Sequence, residues 1–292
     1  WFLNQEKNTL PMASERVAEI TPGKSRAVLI TADQIVHELN GLQEQREIEV
    51  GNGMVIKQGG ANLEYDSLVA PVQEATLAMN TLKIPRGGEF RLKLSDGTNV
   101  YLNSASELKY PVCFDEKERK VYLSGEAYFE VRKDSLRPFI VRVNGAEVTV
   151  LGTSFNVNTY GDDGQIYTTL VNGSVRILSE KNGQEEVLTP GMQGVMNIQT
   201  GQLTVREVDV ESYIAWREGR FVFRTMTLDL IMRQLQRWYD FEVFYQNPEL
   251  KEYEFRGVIK RDMDLDKVLS VIKATTNVDF DVKGKVITII KR

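Results

Sequence analysis

The sequence predicts a mainly β protein: a large all-β domain, built as a sandwich or a short β-solenoid, followed by a small α/β domain. Three observations carry this. Between Val121 and Val131, residues Val121, Leu123, Gly125, Ala127, Phe129 and Val131 fall on one side at period two, and Tyr122, Ser124, Glu126, Tyr128 and Glu130 on the other. That is the alternation of a half-buried strand. Strand-like runs before and after it are separated by turn signals roughly every 8 to 12 residues. Near Asp209 the pattern changes, and apolar residues recur at the spacing of amphipathic helices.

The composition is that of an ordinary globular chain: 292 residues, 42% apolar, 26% charged and 9% aromatic. The length exceeds the usual size of one domain. The formal charge is -5, with Lys and Arg scattered among acids, so the basic stripe that a nucleic-acid groove requires is missing. Cys113 is the single cysteine and His37 the single histidine. This pair leaves no intrachain disulfide, no cysteine zinc site and little room for Ser-His or Cys-His chemistry. No cofactor is called for, and no apolar run reaches the roughly 18 residues of a membrane span.

Taken in order, Trp1-Phe2-Leu3 running into polar residues reads as the tail of a removed membrane helix, and residues 1–19 as the linker after it. Residues 20–208 are expected to form the all-β domain. Pro22-Gly23 leads into an apolar run at Ala27 to Ile30, a turn at Ala32-Asp33, and then Ile35, Val36 and Leu39. The same grammar returns at Pro85: Gly87-Gly88, then Phe90, Leu92 and Leu94, a turn at Ser95-Asp96-Gly97, then Val100 and Leu102. In each copy the turn aspartate follows the proline by eleven residues, Pro22 to Asp33 and Pro85 to Asp96. This is an internal repeat. Gln34 stands where the second copy has Gly97, which predicts a different turn in the first copy, because glycine supplies the positive φ of a tight hairpin. Gly51-Asn52-Gly53 lacks the third glycine and the Gly-Lys-Ser/Thr of a phosphate loop.

Gly125 has no side chain to pack on the core face of the central strand, so it marks a bulge or the close approach of another backbone. Phe139, Val141 and Val143 form a further strand, turned by Asn144-Gly145. Later strands are punctuated by Asp163-Gly164, Asn172-Gly173, Asn182-Gly183 and Pro190-Gly191.

Residues 209–292 are expected to form the small α/β domain. A short helical segment at Tyr213 to Trp216 ends at Gly219. A strand at Phe221 and Phe223 follows, then a helix capped by Thr227 with Leu228, Ile231, Met232 and Leu235 on one face. A strand at Phe241 to Tyr245, another at Phe255 to Ile259, a helix capped by Asp264 and a hairpin about Lys283-Gly284 complete a strand-helix-strand-strand-helix-strand-strand order. Asp262-Met263-Asp264-Leu265-Asp266 imitates the start of a calcium loop, but Lys267 and Lys273 replace its Gly and Glu, and acids at a helix start explain the cluster better.

These motifs, in this order, resemble the FecR family of anti-sigma regulators. They are Ile84-Pro85-Arg86-Gly87-Gly88, Leu94-Ser95-Asp96-Gly97-Thr98, Leu102-Asn103-Ser104, the run Arg119 to Val131, Pro138-Phe139, Val150-Leu151-Gly152-Thr153-Ser154-Phe155-Asn156-Val157 and Leu188-Thr189-Pro190-Gly191. From Trp216-Arg217-Glu218-Gly219 onward the chain is similar to the domain that follows in this family, itself like the short signalling domain of secretins and TonB-dependent receptors. The resemblance implies the periplasmic sensor portion of a regulator anchored to the inner membrane by one helix. Its partners would be the signalling domain of a TonB-dependent outer-membrane receptor and, through a cytoplasmic segment absent from this chain, an extracytoplasmic-function sigma factor.

It also implies a possible self-cleavage at Gly152-Thr153, where the Thr hydroxyl would attack the preceding carbonyl, although no histidine lies near in sequence to act as base. For docking of a partner strand the candidates are Phe241, Val243 and Tyr245 on one strand and Phe255 and Val258 on the other, since an exposed sheet edge accepts a strand through its backbone. The competing reading is a secreted carbohydrate-binding or adhesive β-protein with Tyr122, Tyr128 and Trp216 as stacking residues. An enzyme is not expected: Glu126 and Glu130 share a strand face with no evident cleft.

Overall fold

The computed structural model describes residues 20–41, 45–50, 55–65 and 78–292, so the expected linker at 1–19 and Gly51 with Gly53 lie outside the described residues. Strands β1 (Lys24–Ile30), β2 (Val36–Asn40), β3 (Arg46–Glu49), β4 (Val55–Gly59), β5 (Asn62–Tyr65), β6 (Met79–Ile84), β7 (Gly88–Lys93), β8 (Asn99–Leu102), β9 (Ser106–Pro111) and β10 (Arg119–Ser124) come first. Then follow β11 (Glu126–Glu130), β12 (Phe139–Val143), β13 (Ala146–Val150), β14 (Ser154–Asn158), β15 (Gln165–Asn172), β16 (Val175–Ser179), β17 (Glu185–Leu188), β18 (Met192–Asn197) and β19 (Leu203–Glu207).

These strands form two facing layers. One runs β2-β1-β6-β9-β10-β12-β13-β16-β17. The other runs β3-β4-β5-β7-β8-β11-β14-β15-β18-β19. A short parallel bridge between β1 and β7 joins them. One apolar core lies between, from Ala27 to Leu203, and it includes Leu39, Ile48, Ile56 and Leu63, so the segment before Pro85 belongs to the same packing. Across it the ring of Phe129 stands 6.0 Å from that of Phe139 in the opposite layer and stacks at 5.2 Å on Phe155 in its own. From β12 onward successive hairpins alternate between the layers, so the sandwich lengthens in the manner of a solenoid.

The central run is not one strand. It breaks at Gly125, which takes φ +95°, and β10 and β11 continue in opposite layers. A Cβ on Gly125 would stand 2.6 Å from the Cα of Ser106. The glycine therefore answers both of its expectations, a backbone irregularity and a close approach. The inward residues on either side, Val121, Leu123, Ala127 and Phe129, are all buried.

The two repeat copies share their register: Ala27 faces Leu39 as Phe90 faces Leu102, and Val28 faces Glu38 as Arg91 faces Tyr101. The expectation that their turns differ is overturned. Gln34 adopts φ +66° where Gly97 has +86°. The amide of Gln34 donates to the carbonyl of Thr31 as that of Gly97 does to Leu94, both at 2.9 Å. The hairpin imposes its turn on a residue that pays roughly 1–2 kcal/mol to adopt it.

The C-terminal unit begins with α1 (Glu211–Ile214) and a 3-10 turn (Ala215–Glu218) ended by Gly219 at φ +71°. Then come β20 (Arg220–Thr227), α2 (Leu228–Tyr239), β21 (Glu242–Tyr245), a 3-10 turn (Pro248–Glu252), β22 (Glu254–Lys260), α3 (Leu265–Thr275), β23 (Val278–Lys283) and β24 (Val286–Lys291). β20 pairs with β22, and β21-β24-β23 make a second small sheet. The stripes of α2 and α3 are buried as expected in a separate core from Phe221 to Ile289, each large apolar side chain contributing about 1.5–3 kcal/mol. Thr227 and Asp264 occupy the N-cap positions, but neither side chain caps its helix; Asp264 instead pairs with Lys267 at the start of α3.

Candidate functional site

Alternation predicts a solvent face for Glu126, Tyr128 and Glu130, yet the start of the C-terminal unit covers that side of β11. Arg217, in the 3-10 turn, reaches the carboxylate of Glu130 at 3.0 Å and lies 4.1 Å over the ring of Tyr128. Trp216 donates its indole N–H to the side-chain oxygen of Asn156 on β14. Glu126 is buried and accepts from Asn103 at 2.8 Å and Asn156 at 3.0 Å. Burial holds its carboxyl above the ordinary carboxylate range, with the two amides working against the shift.

Arg261, in the turn just after β22, enters the same junction and is 2% exposed. Its guanidinium lies 3.7 Å over Trp238 and donates to the carbonyl of Trp216 and the side chain of Asn103, both at 2.9 Å. Glu89 on β7 pairs with it at 3.3 Å. Burial lowers the proton affinity of Arg261 and raises that of Glu89, so desolvation outweighs their attraction at both ends. Beside them Arg237 of α2 bonds Asp162 at 2.7 Å and lies 3.9 Å over Tyr160.

These groups wall a cleft of about 430 Å³ between the sandwich and the C-terminal unit, lined among others by Glu126, Tyr167, Arg206, Trp216, Thr225 and Arg237. Glu126 therefore does border a cleft, against expectation, because the C-terminal unit packs on that strand face. Thr225, in its wall, has φ +55° at a β-bulge in β20. Among the described residues no group of three or more His, Cys, Asp or Glu is placed to hold a metal ion, and no helix is long and apolar enough to cross a membrane.

A second junction joins α2 to the repeat. Arg86 bonds the carbonyls of Gln236 and Phe241 and pairs with Asp240 and Glu242, while the amide of Gly87 donates to the carbonyl of Arg237. The carbonyls at a helix C-terminus lack intrahelical partners and attract cations; Arg86 therefore adds to the left-handed cap at Asp240, whose amide already donates to the Gln236 carbonyl.

The expected docking residues separate on burial. Phe241 and Phe255 have core side chains, 1% and 4% exposed, which are not available to a partner. Val243 and Tyr245 are half-buried on β21, which among the described residues pairs only with β24 and so has an open edge. Val258 is 62% exposed on β22, whose only strand partner among the described residues is β20. Gly152 and Thr153 lie between β13 and β14, with Thr153 buried and its hydroxyl donating to the carbonyl of Ser174 at 3.0 Å. Of the residues expected to stack on sugar, Tyr128 and Trp216 are 2% and 8% exposed and only Tyr122 remains accessible. Sequence reasoning missed Arg261, Arg237 and the docking role of Arg86. Arg86 stood in a quoted motif, but nothing in its neighbours pointed to a helix some 150 positions away.

Two family models match separate stretches of the chain. A family model described as FecR protein matches residues 80–176, and one described as FecR, C-terminal, matches residues 220–289. Crystal structures of a candidate anti-sigma factor from Parabacteroides distasonis, at 1.65 and 2.50 Å, superpose with a TM-score of 0.67 at 28% identity. The match covers 73% of this chain and 99% of that one. No curated protein matches the chain.

Proposed function

The chain belongs to the FecR family, and from that premise we propose that it is the sensor portion of an anti-sigma regulator. It works in the periplasm, held at the inner membrane, and receives its signal from the signalling domain of a TonB-dependent receptor. That signal governs an extracytoplasmic-function sigma factor. The structural likeness to an anti-sigma candidate supports the regulator reading.

The observation that carries the receptor reading is the open edge of β21. The amide of Glu242 donates to the carbonyl of Lys285, just before β24, and that of Gln246 to the carbonyl of Ile289 on β24. By alternation, Val243 and Tyr245 turn their backbone groups to the open side, where a partner strand adds. Phe244, 61% exposed, offers an apolar side chain beside that edge.

The test is retention of solubilised envelope proteins on the purified chain, with Val243→Pro as the comparison. Proline removes an outward donor and is tolerated on an edge strand. Retention of one TonB-dependent receptor by the parent chain and its loss in a folded Val243→Pro variant supports the reading. Equal retention by both moves the docking surface away from β21, and retention of no such receptor overturns the receptor reading.

A further inference from the structure

The two repeat copies grip one target through equivalent positions. Gly23 and Arg86 each follow the proline that opens a copy. Gly23 lies against the indole of Trp238, so closely that a Cβ would fall 2.6 Å from ring atoms. Arg86 caps the same helix end, at Gln236, Asp240 and Phe241. The copies are tied to each other: the amide of Lys24 donates to the carbonyl of Gly87 at 2.9 Å, and Arg26 donates to the carbonyl of Arg86. Ile20 packs on the C-terminal core. Segment 20–26 is thus seated on α2 and on the Arg86 loop together.

The Phe241 carbonyl decides what this seat does. It belongs to the same peptide as the Glu242 amide, which points to β24. In a trans peptide the carbonyl points the opposite way, toward the open edge of β21. It is the first acceptor that the edge offers a partner strand, and Arg86 already occupies it. Arg86 also holds the carboxylate of Glu242, the first residue of that strand.

We propose that Arg86 is a positioning residue that couples the β21 edge to segment 20–26. A strand that pairs along the whole of β21 competes with Arg86 for the Phe241 carbonyl, and its arrival loosens the seat of Ile20 to Arg26. Coupling of this kind is reciprocal, so disturbing segment 20–26 must also disturb the entrance of β21. Its use as a signalling output rests on the receptor reading above, whereas the coupling is a property of the free protein.

The experiment is residue-resolved hydrogen exchange on the whole chain without any partner. Arg86→Ala is expected to speed exchange at the Lys24 and Gly87 amides by about ten-fold, within the usual range of coupling energies. Gly23→Ala, which wedges against Trp238, is expected to speed exchange at Glu242 and Gln246. Arg86→Lys should restore part of the protection, keeping the charge but losing the fork. Amides of Val148 and Ile177, in the β13–β16 ladder, should not change in any of them. Unchanged Glu242 and Gln246 in Gly23→Ala, with the effect confined to α2, would overturn the proposal. Because no receptor enters the experiment, failure of the receptor reading leaves these rates as they are.

Discussion

The two repeat copies have one backbone and two fates. Their registers and turn hydrogen bonds coincide, yet among the described residues β2 ends its layer, pairing only with β1, while β8 lies inside the other, between β7 and β11. Their side chains follow that difference. Asp33 is exposed and receives the hydroxyl of Thr31. Its counterpart Asp96 is buried against Arg119 at 2.8 Å, with side chains 4% and 1% exposed. Asn40 is exposed at the end of β2, whereas the equivalent Asn103 bridges Glu126 and Arg261. Hairpin geometry is set by short-range grammar; what a hairpin's polar residues do is set by what packs on them.

The sharpest test of that contrast is Asp96→Ala against Asp33→Ala. Removing Asp96 leaves the Arg119 guanidinium buried without its counter-charge and should cost about 3–5 kcal/mol. Asp33→Ala should cost less than about 1 kcal/mol, as surface changes do. Denaturant midpoints at equal slope read both, and equal losses would erase the distinction between the copies.

The turn residues come next. Gly97→Ala should lose about 1–2 kcal/mol, the cost of a left-handed L-residue. Gln34→Gly should gain up to about 1 kcal/mol, that relief less the entropy glycine loses on folding. A gain in both variants would mean that the turns differ after all.

The smallest effect is in pH dependence. The carboxyl of Glu126 is raised by burial, so the folded chain holds its proton more tightly than the unfolded chain does. The stability it contributes is present at low pH and is lost as pH climbs from the ordinary carboxylate range through the raised value, by at most about 1.4 kcal/mol per pH unit. Asn103→Ala removes a donor that lowers this value and should extend the loss to higher pH, Asn40→Ala should leave the profile alone, and Glu126→Gln should flatten it. Unfolding free energies measured from acid to neutral pH would show this.

Much of the architecture was legible before any coordinates. Alternation found the inward residues of β10 to β13, the repeat was visible from Pro22 and Pro85, and the helical stripes located α2 and α3 almost to the residue. These are local signals, carried within one element. What stayed hidden is non-local. The tyrosine and glutamates on the polar side of β11 looked solvated because the segment that covers them lies far along the chain, at Trp216 and Arg217. Phe241 and Phe255 look like any strand aromatic, and only the packing of α2 and α3 tells buried from available. Gln34 misled for a different reason: propensity argued against a left-handed residue, and the hairpin around it overrode that preference.

The succession of hairpins from β12 to β19 also orders events in time. A chain that emerges from its N-terminus can lay each of these hairpins beside a strand already in place, since β13 receives β16 and β15 receives β18. Arg86 has no such luck: its acceptors at Phe241 and Glu242 arrive 155 and 156 positions later. The helix that seats segment 20–26 lies just before them, at Leu228–Tyr239, so the seat waits for the C-terminal unit as well. The seat therefore closes only once the C-terminal unit is present, and a truncated chain that builds most of the sandwich still leaves it open.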